Sequence, residues 1–190
     1  MLEFEKKIML HEDEYNALDS HIFSDANLIK QTNYYYDNNA FEMNKSGITV
    51  RIREIDGVYL TLMKDHSKKD SDCSVETYYN LDYEYNDIFL RKMGLCCHGK
   101  LHTERKMLVY DNVKVFLDKN SYLDIVDYEL EVEYRFGFEN DAFDSINKTI
   151  SVLIHHDIIK TSEVILSRIG IGKSKSARFF ERKAFLVKEV

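Results

Sequence analysis

Proline and tryptophan are absent from this 190-residue sequence, and only three residues are cysteine. Without proline, no strand or helix is forced to break at a ring that lacks an N–H. The thiols, Cys73, Cys96 and Cys97, form no C-x-x-C pair, and sequence neighbours rarely bridge one another, so free thiols in a reducing compartment are expected. No apolar run approaches the ~18 residues needed to span a bilayer. The first residues are acidic, where a signal peptide would place a basic segment before an apolar one, so the protein is read as cytoplasmic. Positive charge is also in deficit. The 33 acidic against 26 basic residues give a net charge of -7, which argues against nucleic acid or an anionic membrane as partner. Any anion must therefore be met by a local concentration of Lys and Arg.

What the sequence does have is tyrosine, 13 residues of it, which favours sheet. Its length suits one domain over residues 1–190 with a substantial core. "LEFEKKI" alternates as a strand, and "HEDEYNALDSHIF" places Tyr15, Leu18 and Ile22 at helical spacing behind an acidic turn. "KQTNYYYDN", "SGITVRIREI" and "VYLTLMK" read as strands, the last two a hairpin about Asp56-Gly57. "DHSKKDSDCS" reads as an exposed loop, "SVETYYNL" as a strand and "YNDIFLRKMG" as a helix ended by Gly94. Three more strands follow in "KLHTERKMLVY", "VKVFLDKN" and "YLDIVDYELEVEYRF", with turns at Asp111-Asn112 and Lys119-Asn120. "ENDAFDSINKTISVLIHH" carries a stripe of Phe143, Ile146, Ile150 and Leu153 and a cap at Asn140, and two shorter helices end the chain. Seven or eight strands joined by short turns suit an antiparallel sheet or barrel with helices on its outer face.

Alternation sorts the charges of these strands. Glu3, Glu5 and Lys7 oppose Phe4 and Ile8; Arg51 and Arg53 oppose Val50 and Ile52; Glu129, Glu131 and Glu133 oppose Leu130 and Val132. Arg105 adds a basic group in another strand. In a one-sided sheet such faces lie in water, and their cross-strand pairs contribute ~0.2–1 kcal/mol each and imply no function. In a barrel whose polar face is the interior, they demand a ligand. Carboxylates from two strands would then hold a hard cation such as Mg²⁺ or Mn²⁺ while Arg and Lys hold phosphate, as metal-assisted phosphoryl transfer requires.

"EFEKK" resembles the E-x-E-x-K signature of CYTH proteins, the superfamily of class IV adenylyl cyclases and thiamine triphosphatases also called triphosphate tunnel metalloenzymes. "QTNYYYD", "GITVRIRE", "YLTL" and "YLDIVDYELEVE" follow in the family's order, and "KSKSARFF" resembles the lysine and arginine segment of a bacterial subgroup. The resemblance implies an α+β fold: an antiparallel eight-stranded barrel, the triphosphate tunnel, with helices packed outside. By position, Glu3, Glu5, Glu129 and Glu131 would be metal ligands, and Glu133 shares their face. Lys7, Arg51, Arg53, Lys64 and Arg105 would bind triphosphate, with Lys175 and Arg178 closing one end. Glu3, Glu5 and Lys7 would carry catalysis. The implied activity is hydrolysis of inorganic triphosphate or a small organic triphosphate; the alternatives are class IV-type cyclisation and a non-catalytic polyphosphate- or nucleotide-binding module. A monomer or homodimer is expected.

The sequence departs from the family at two points. Met63 stands where a lysine usually follows the L-T pair, so either a β-bulge re-aims Lys64 inward or a phosphate contact is lost. Asp124 replaces a glycine, an effect expected to stay within a turn. Other candidates carry less. His155 and His156 point about 100° apart on a helix, Cys96-Cys97-His98 lacks a zinc spacing, and Tyr34-Tyr35-Tyr36 suits strand packing. Asp37 fits either a turn or the tunnel mouth.

Overall fold

A computed structural model describes residues 2–66, 73–79 and 83–188. Eight strands close into an antiparallel barrel in the order β1-β5-β4-β3-β2-β6-β7-β8. They are β1 (Leu2–Leu10), β2 (Leu28–Asp37), β3 (Ile48–Ile55), β4 (Val58–Asp65), β5 (Cys73–Tyr79), β6 (Cys96–Val109), β7 (Val113–Tyr122) and β8 (Ile125–Tyr134). The helices are α1 (Glu12–His21), α2 (Glu42–Lys45), α3 (Tyr83–Lys92), α4 (Glu139–His155), α5 (Glu163–Leu166) and α6 (Lys175–Lys188). Among the described residues, no helix is long and apolar enough to cross a membrane. Most of the polar stretch expected to form a loop, residues 67–72, lies outside the described residues.

Alternation decides which face is core. The outward residues Ile8, Val113, Val115, Leu117, Leu130 and Val132 are buried under Tyr15 and Leu18 of α1 and Ala142, Ile146, Ile150 and Leu153 of α4. A second outer cluster joins Tyr36, Val50 and Ile52 to Leu90 of α3 and Leu95. Apolar side chains thus lie between the sheet and its helices, leaving the polar faces to the interior. The inward faces meet an apolar cluster at one mouth, where Phe179 and Phe180 of α6 pack with Tyr35, Leu101 and Tyr122.

The hairpin between β3 and β4 turns at Asp56-Gly57, both with positive φ, as a two-residue type I′ connection requires. The β7–β8 turn lies at Leu123-Asp124, because β7 runs through Lys119 and Asn120, which pair with Tyr128 and Asp127. The sequence expectation of a turn at Lys119-Asn120 is corrected: their side chains face opposite sides of a strand. The α4 cap is Phe138 rather than Asn140, which sits inside the first turn. Phe143 lies at the rim of the α4 stripe, with the Lys6 ammonium 4.5 Å from its ring centre.

Among the described residues, β1 pairs with β8 from Phe4 to Leu10 and with β5 at Leu2, Glu3 and Phe4. The Gly170 N–H donates to the Lys7 carbonyl at 3.0 Å, so the connection before α6 lies against β1. The connection is tied down by Arg168, whose two terminal nitrogens donate to both Glu14 oxygens at 2.8 and 2.9 Å.

Candidate active site

The register points every sequence-predicted barrel residue inward. Glu5 lies opposite Glu133 and Lys7 opposite Glu131; Arg105 lies opposite Asp118, which in turn faces Glu129. The β3–β4 ladder is regular from Ile48↔Asp65 to Ile55↔Val58, with Thr49 opposite Lys64. The bulge expected at Met63 is therefore absent, yet Lys64 faces the interior because it shares a face with Thr49 and Arg51. Met63 packs outside against the Val50 and Ile52 cluster. A register irregularity does occur, between Tyr35 and Tyr36 on β2. It accompanies Gly99 on β6, whose φ of 141 and closeness to the Phe179 ring leave no room for a β-carbon.

Inside, cations and carboxylates sort into two clusters. In the first, Lys64 Nζ lies 2.7 Å from Glu3 and 3.1 Å from Glu5, with Glu76 at 3.9 Å. In the second, oxygens of Asp118, Glu129 and Glu131 all lie within 4.8 Å of one another. Lys175 Nζ sits among them, 2.9 Å from both Asp118 and Glu131 and bonded also to Glu129. Lys7 bridges the clusters, 3.0 Å from Glu131 and 3.5 Å from Glu5. Arg105 grips Asp118 through Nε at 2.7 Å and reaches Glu131. Arg178 donates to Asp127 at 2.9 Å and to Glu129 at 2.8 Å.

Burial and these partners set the protonation states. Burial pushes the Glu3 and Glu5 carboxyls up, but Lys64, joined by Lys7 and Lys175 at Glu5, more than reverses this and holds both below the ordinary range. Asp118 is likewise held low, by Arg105 and Lys175 against its burial. Lys7 is raised, Glu131 and Glu5 outweighing its desolvation. Glu133 goes the other way: burial and the neighbouring Glu3 push it up to about 8. Arg53 is drawn down to about 10 by burial and by Arg51 and Arg105. It donates to Asn33 at 3.0 Å, and among the described residues it has no carboxylate within 4.0 Å. An under-compensated buried guanidinium of this kind is matched by an incoming anion.

Asp118 and Glu76 are the functional candidates that the sequence reading missed. Both lay in plain alternation: Asp118 follows Lys114 and Phe116 on one face of β7, and Glu76 follows Ser74 on one face of β5. Expecting a turn at Lys119-Asn120 hid the first. Of the three late glutamates, Glu129 and Glu131 join Asp118, while Glu133 faces Glu3 and Glu5. Asp37 belongs to a turn and not to the mouth. Fully buried, it accepts backbone N–H bonds from Asn38, Met43 and Asn44 and so holds the start of α2. Tyr36 packs outside and donates to Asp87, and His156 stacks on His21 at 3.6 Å, away from the interior. Asp124 sits in the β7–β8 turn, but its effect is not confined there as expected: Arg182 of α6 donates to it through Nε at 2.8 Å.

The donor set of Asp118, Glu129 and Glu131 is all oxygen, buried and convergent, which fits a hard divalent cation. Fold and interior together define a tunnel barrel lined by lysines and arginines beside a convergent carboxylate group. The CYTH domain family model matches residues 1–153, and the chain belongs to this family, within the triphosphate tunnel metalloenzyme superfamily.

Three solved structures share the fold. A Bacillus halodurans protein assigned provisionally as an adenylate cyclase is 24% identical, with 79% of this chain and 90% of that one aligned at a TM-score of 0.63. A Hippeastrum protein, provisionally an adenylyl cyclase and described as having a dominant triphosphatase activity, is 16% identical over 95% of each chain, TM-score 0.66. A Pyrococcus horikoshii protein is 14% identical over 96% of this chain and 98% of that one, TM-score 0.61. No curated protein gives a significant match.

Proposed function

We propose that the protein is a metal-dependent triphosphatase acting on inorganic triphosphate or a small organic triphosphate, with residues 1–190 working as one domain. The observation that carries this reading is the convergence of Lys7, Arg51, Arg53, Lys64 and Arg105 on one cavity that also holds Glu3, Glu5 and Glu131. A chain of phosphates is the ligand that several cations in a row can neutralise, the arginines through paired N–H donors. The triphosphatase activity of the Hippeastrum protein of the same fold supports hydrolysis.

With most of its cations paired to carboxylates, the cavity measures about 60 Å³. Triphosphate must therefore displace carboxylates from Arg and Lys as it enters, exchanging one set of charge-assisted bonds for another. Arg51, Arg53 and Arg105 then grip non-bridging oxygens, and Lys7 and Lys64 neutralise the reacting end, with Lys175 and Arg178 behind. Asp118, Glu129 and Glu131, with Glu3 and Glu5 nearby, would hold a divalent ion of the Mg²⁺ or Mn²⁺ type, which would supply further neutralisation at the phosphate oxygens. Glu3 and Glu5, released from Lys64, orient water in line with the terminal phosphorus and accept its proton. The anhydride bond breaks, and the leaving oxygen's charge falls on the lysines and arginines.

The experiment is phosphate release from triphosphate by purified protein with Mg²⁺ or Mn²⁺. Glu5→Gln is expected to lower release by about 10²-fold or more; full activity in that variant overturns the mechanism. One observation favours cyclisation as a second reading. A vestibule of about 410 Å³ beside Arg53 and Glu133, lined by Phe4, Tyr78 and Tyr110, has room and aromatic surface for a nucleoside. Cyclic AMP formed from ATP would select it. The non-catalytic reading loses its motive, because it rested on a missing lysine and Lys64 faces inward.

A further inference from the structure

The carboxylates suited to a metal already hold a cation of the protein's own. Lys175 is the first residue of α6, beyond the segment matched to the family, and its side chain is 8% exposed. Its nitrogen contacts one oxygen on each of Asp118, Glu129 and Glu131, the three groups that converge on one point. A hard divalent ion binds carboxylate oxygens at about 2.0–2.6 Å, so it would draw on the same oxygens and stand where the ammonium stands. Two cations cannot share that position. Vacating the position without a replacement leaves the three buried carboxylates under-compensated, with Arg105, Arg178 and Lys7 left to hold them.

We infer that Lys175 is a resident cation of the metal site, which a divalent ion enters by exchange: the ammonium leaves the Asp118–Glu129–Glu131 group as the ion arrives. The helix need not leave with it. α6 keeps its seat through Phe179 and Phe180 on Tyr35 and Leu101, and through the 2.6 Å bond between the Thr49 and Ser176 hydroxyls. The freed ammonium remains beside the cavity that Lys175 lines, within reach of a phosphate oxygen. Exchange also sets the metal affinity of the protein without substrate. An ion that can bind only when the lysine is out has its affinity lowered by the fraction of molecules in that state.

This inference rests on the metal-dependent reading, and Mn²⁺ alone tests it on the full chain, with bound Mn²⁺ followed by electron paramagnetic resonance or calorimetry and no triphosphate present. Lys175→Met is expected to bind Mn²⁺ about ten-fold more tightly than the native protein, as removal of a competitor that occupies nine sites in ten requires. Lys7→Met also deletes a nearby positive charge but does not vacate the triad, and its gain is expected to be smaller. Equal or weaker binding by Lys175→Met, or an equal gain in Lys7→Met, overturns the exchange. Should Lys175→Met fail to fold alone, Mn²⁺ is expected to restore cooperative unfolding; a variant that stays unfolded with Mn²⁺ overturns it as well. Phosphate release is measured separately on the native protein. Tighter Mn²⁺ binding in Lys175→Met without any native hydrolysis sinks the proposed activity and leaves the exchange standing, and the converse result does the reverse.

Discussion

At the residue scale, the interior is a set of charges whose partners determine what each substitution does. Lys64 neutralises Glu3 and Glu5 together. Replacing it with methionine strands two buried carboxylates, and breaking a buried pair in this way costs about 3–5 kcal/mol. Urea unfolding of Lys64→Met at pH 7 checks that figure. Glu133 makes an opposite prediction. Its pKa near 8 in the folded protein exceeds the ordinary 4.5, so between these values the native state holds a proton that the unfolded chain has lost. Stability from this group is present below about pH 4.5 and declines as pH rises through 8. Glu133→Gln, a mimic of the protonated form, is expected to flatten that decline and to unfold at higher temperature than the native protein at pH 8. Glu3, Glu5 and Asp118 act in the other sense: their depressed values add stability that is lost as pH falls into the acid range. Much of this chemistry was legible in the sequence. Period-two alternation placed Glu3, Glu5, Arg51, Arg53, Glu129 and Glu131 on polar faces, and the family resemblance assigned those faces to one tunnel. Which carboxylate meets which cation was not legible. Lys64 reaches Glu3 and Glu5 only because β1 lies beside β5, and β5 beside β4, once the barrel has closed.

At the scale of elements, turns and helix seats carry the strain. Leu123 opens the β7–β8 turn at a φ of 50, where a β-carbon crowds the following carbonyl. Leu123 is exposed and Asn tolerates that conformation, so Leu123→Asn is expected to stabilise the protein by about 1 kcal/mol, read as a higher midpoint in thermal unfolding. α6 is seated differently. Phe179 is fully buried against Tyr35 and Tyr122 and lies against Gly99. Phe179→Ala is expected to cost about 3–5 kcal/mol, checked by urea unfolding. It should also expose α6 to trypsin at Lys175 and Arg178, read by limited proteolysis. The sequence showed α6 as a short helix and, through its family resemblance, as the bearer of Lys175 and Arg178 closing one end. It could not show a Phe pair inserted between inward-facing aromatics, because Tyr35 and Tyr122 read equally well as outward packing residues. The β7 expectation failed locally for a similar reason: Lys119-Asn120 has the composition of a turn, and only pairing with Tyr128 and Asp127 keeps it extended.

At the scale of the whole molecule, an acidic protein encloses a tunnel in which lysines and arginines meet carboxylates, and binding there acts on the folded state alone. Triphosphate at about one hundred times its dissociation constant is expected to stabilise the fold by about 2.7 kcal/mol, seen as a rise in melting temperature that high salt diminishes only partly, since buried pairs are weakly screened. The cylinder is also latched from outside. The Gly170 N–H holds the Lys7 carbonyl and Arg168 clamps both oxygens of Glu14, so the wall strand that bears Glu5 and Lys7 and the helix that follows it are both fastened to the segment that leads into α6.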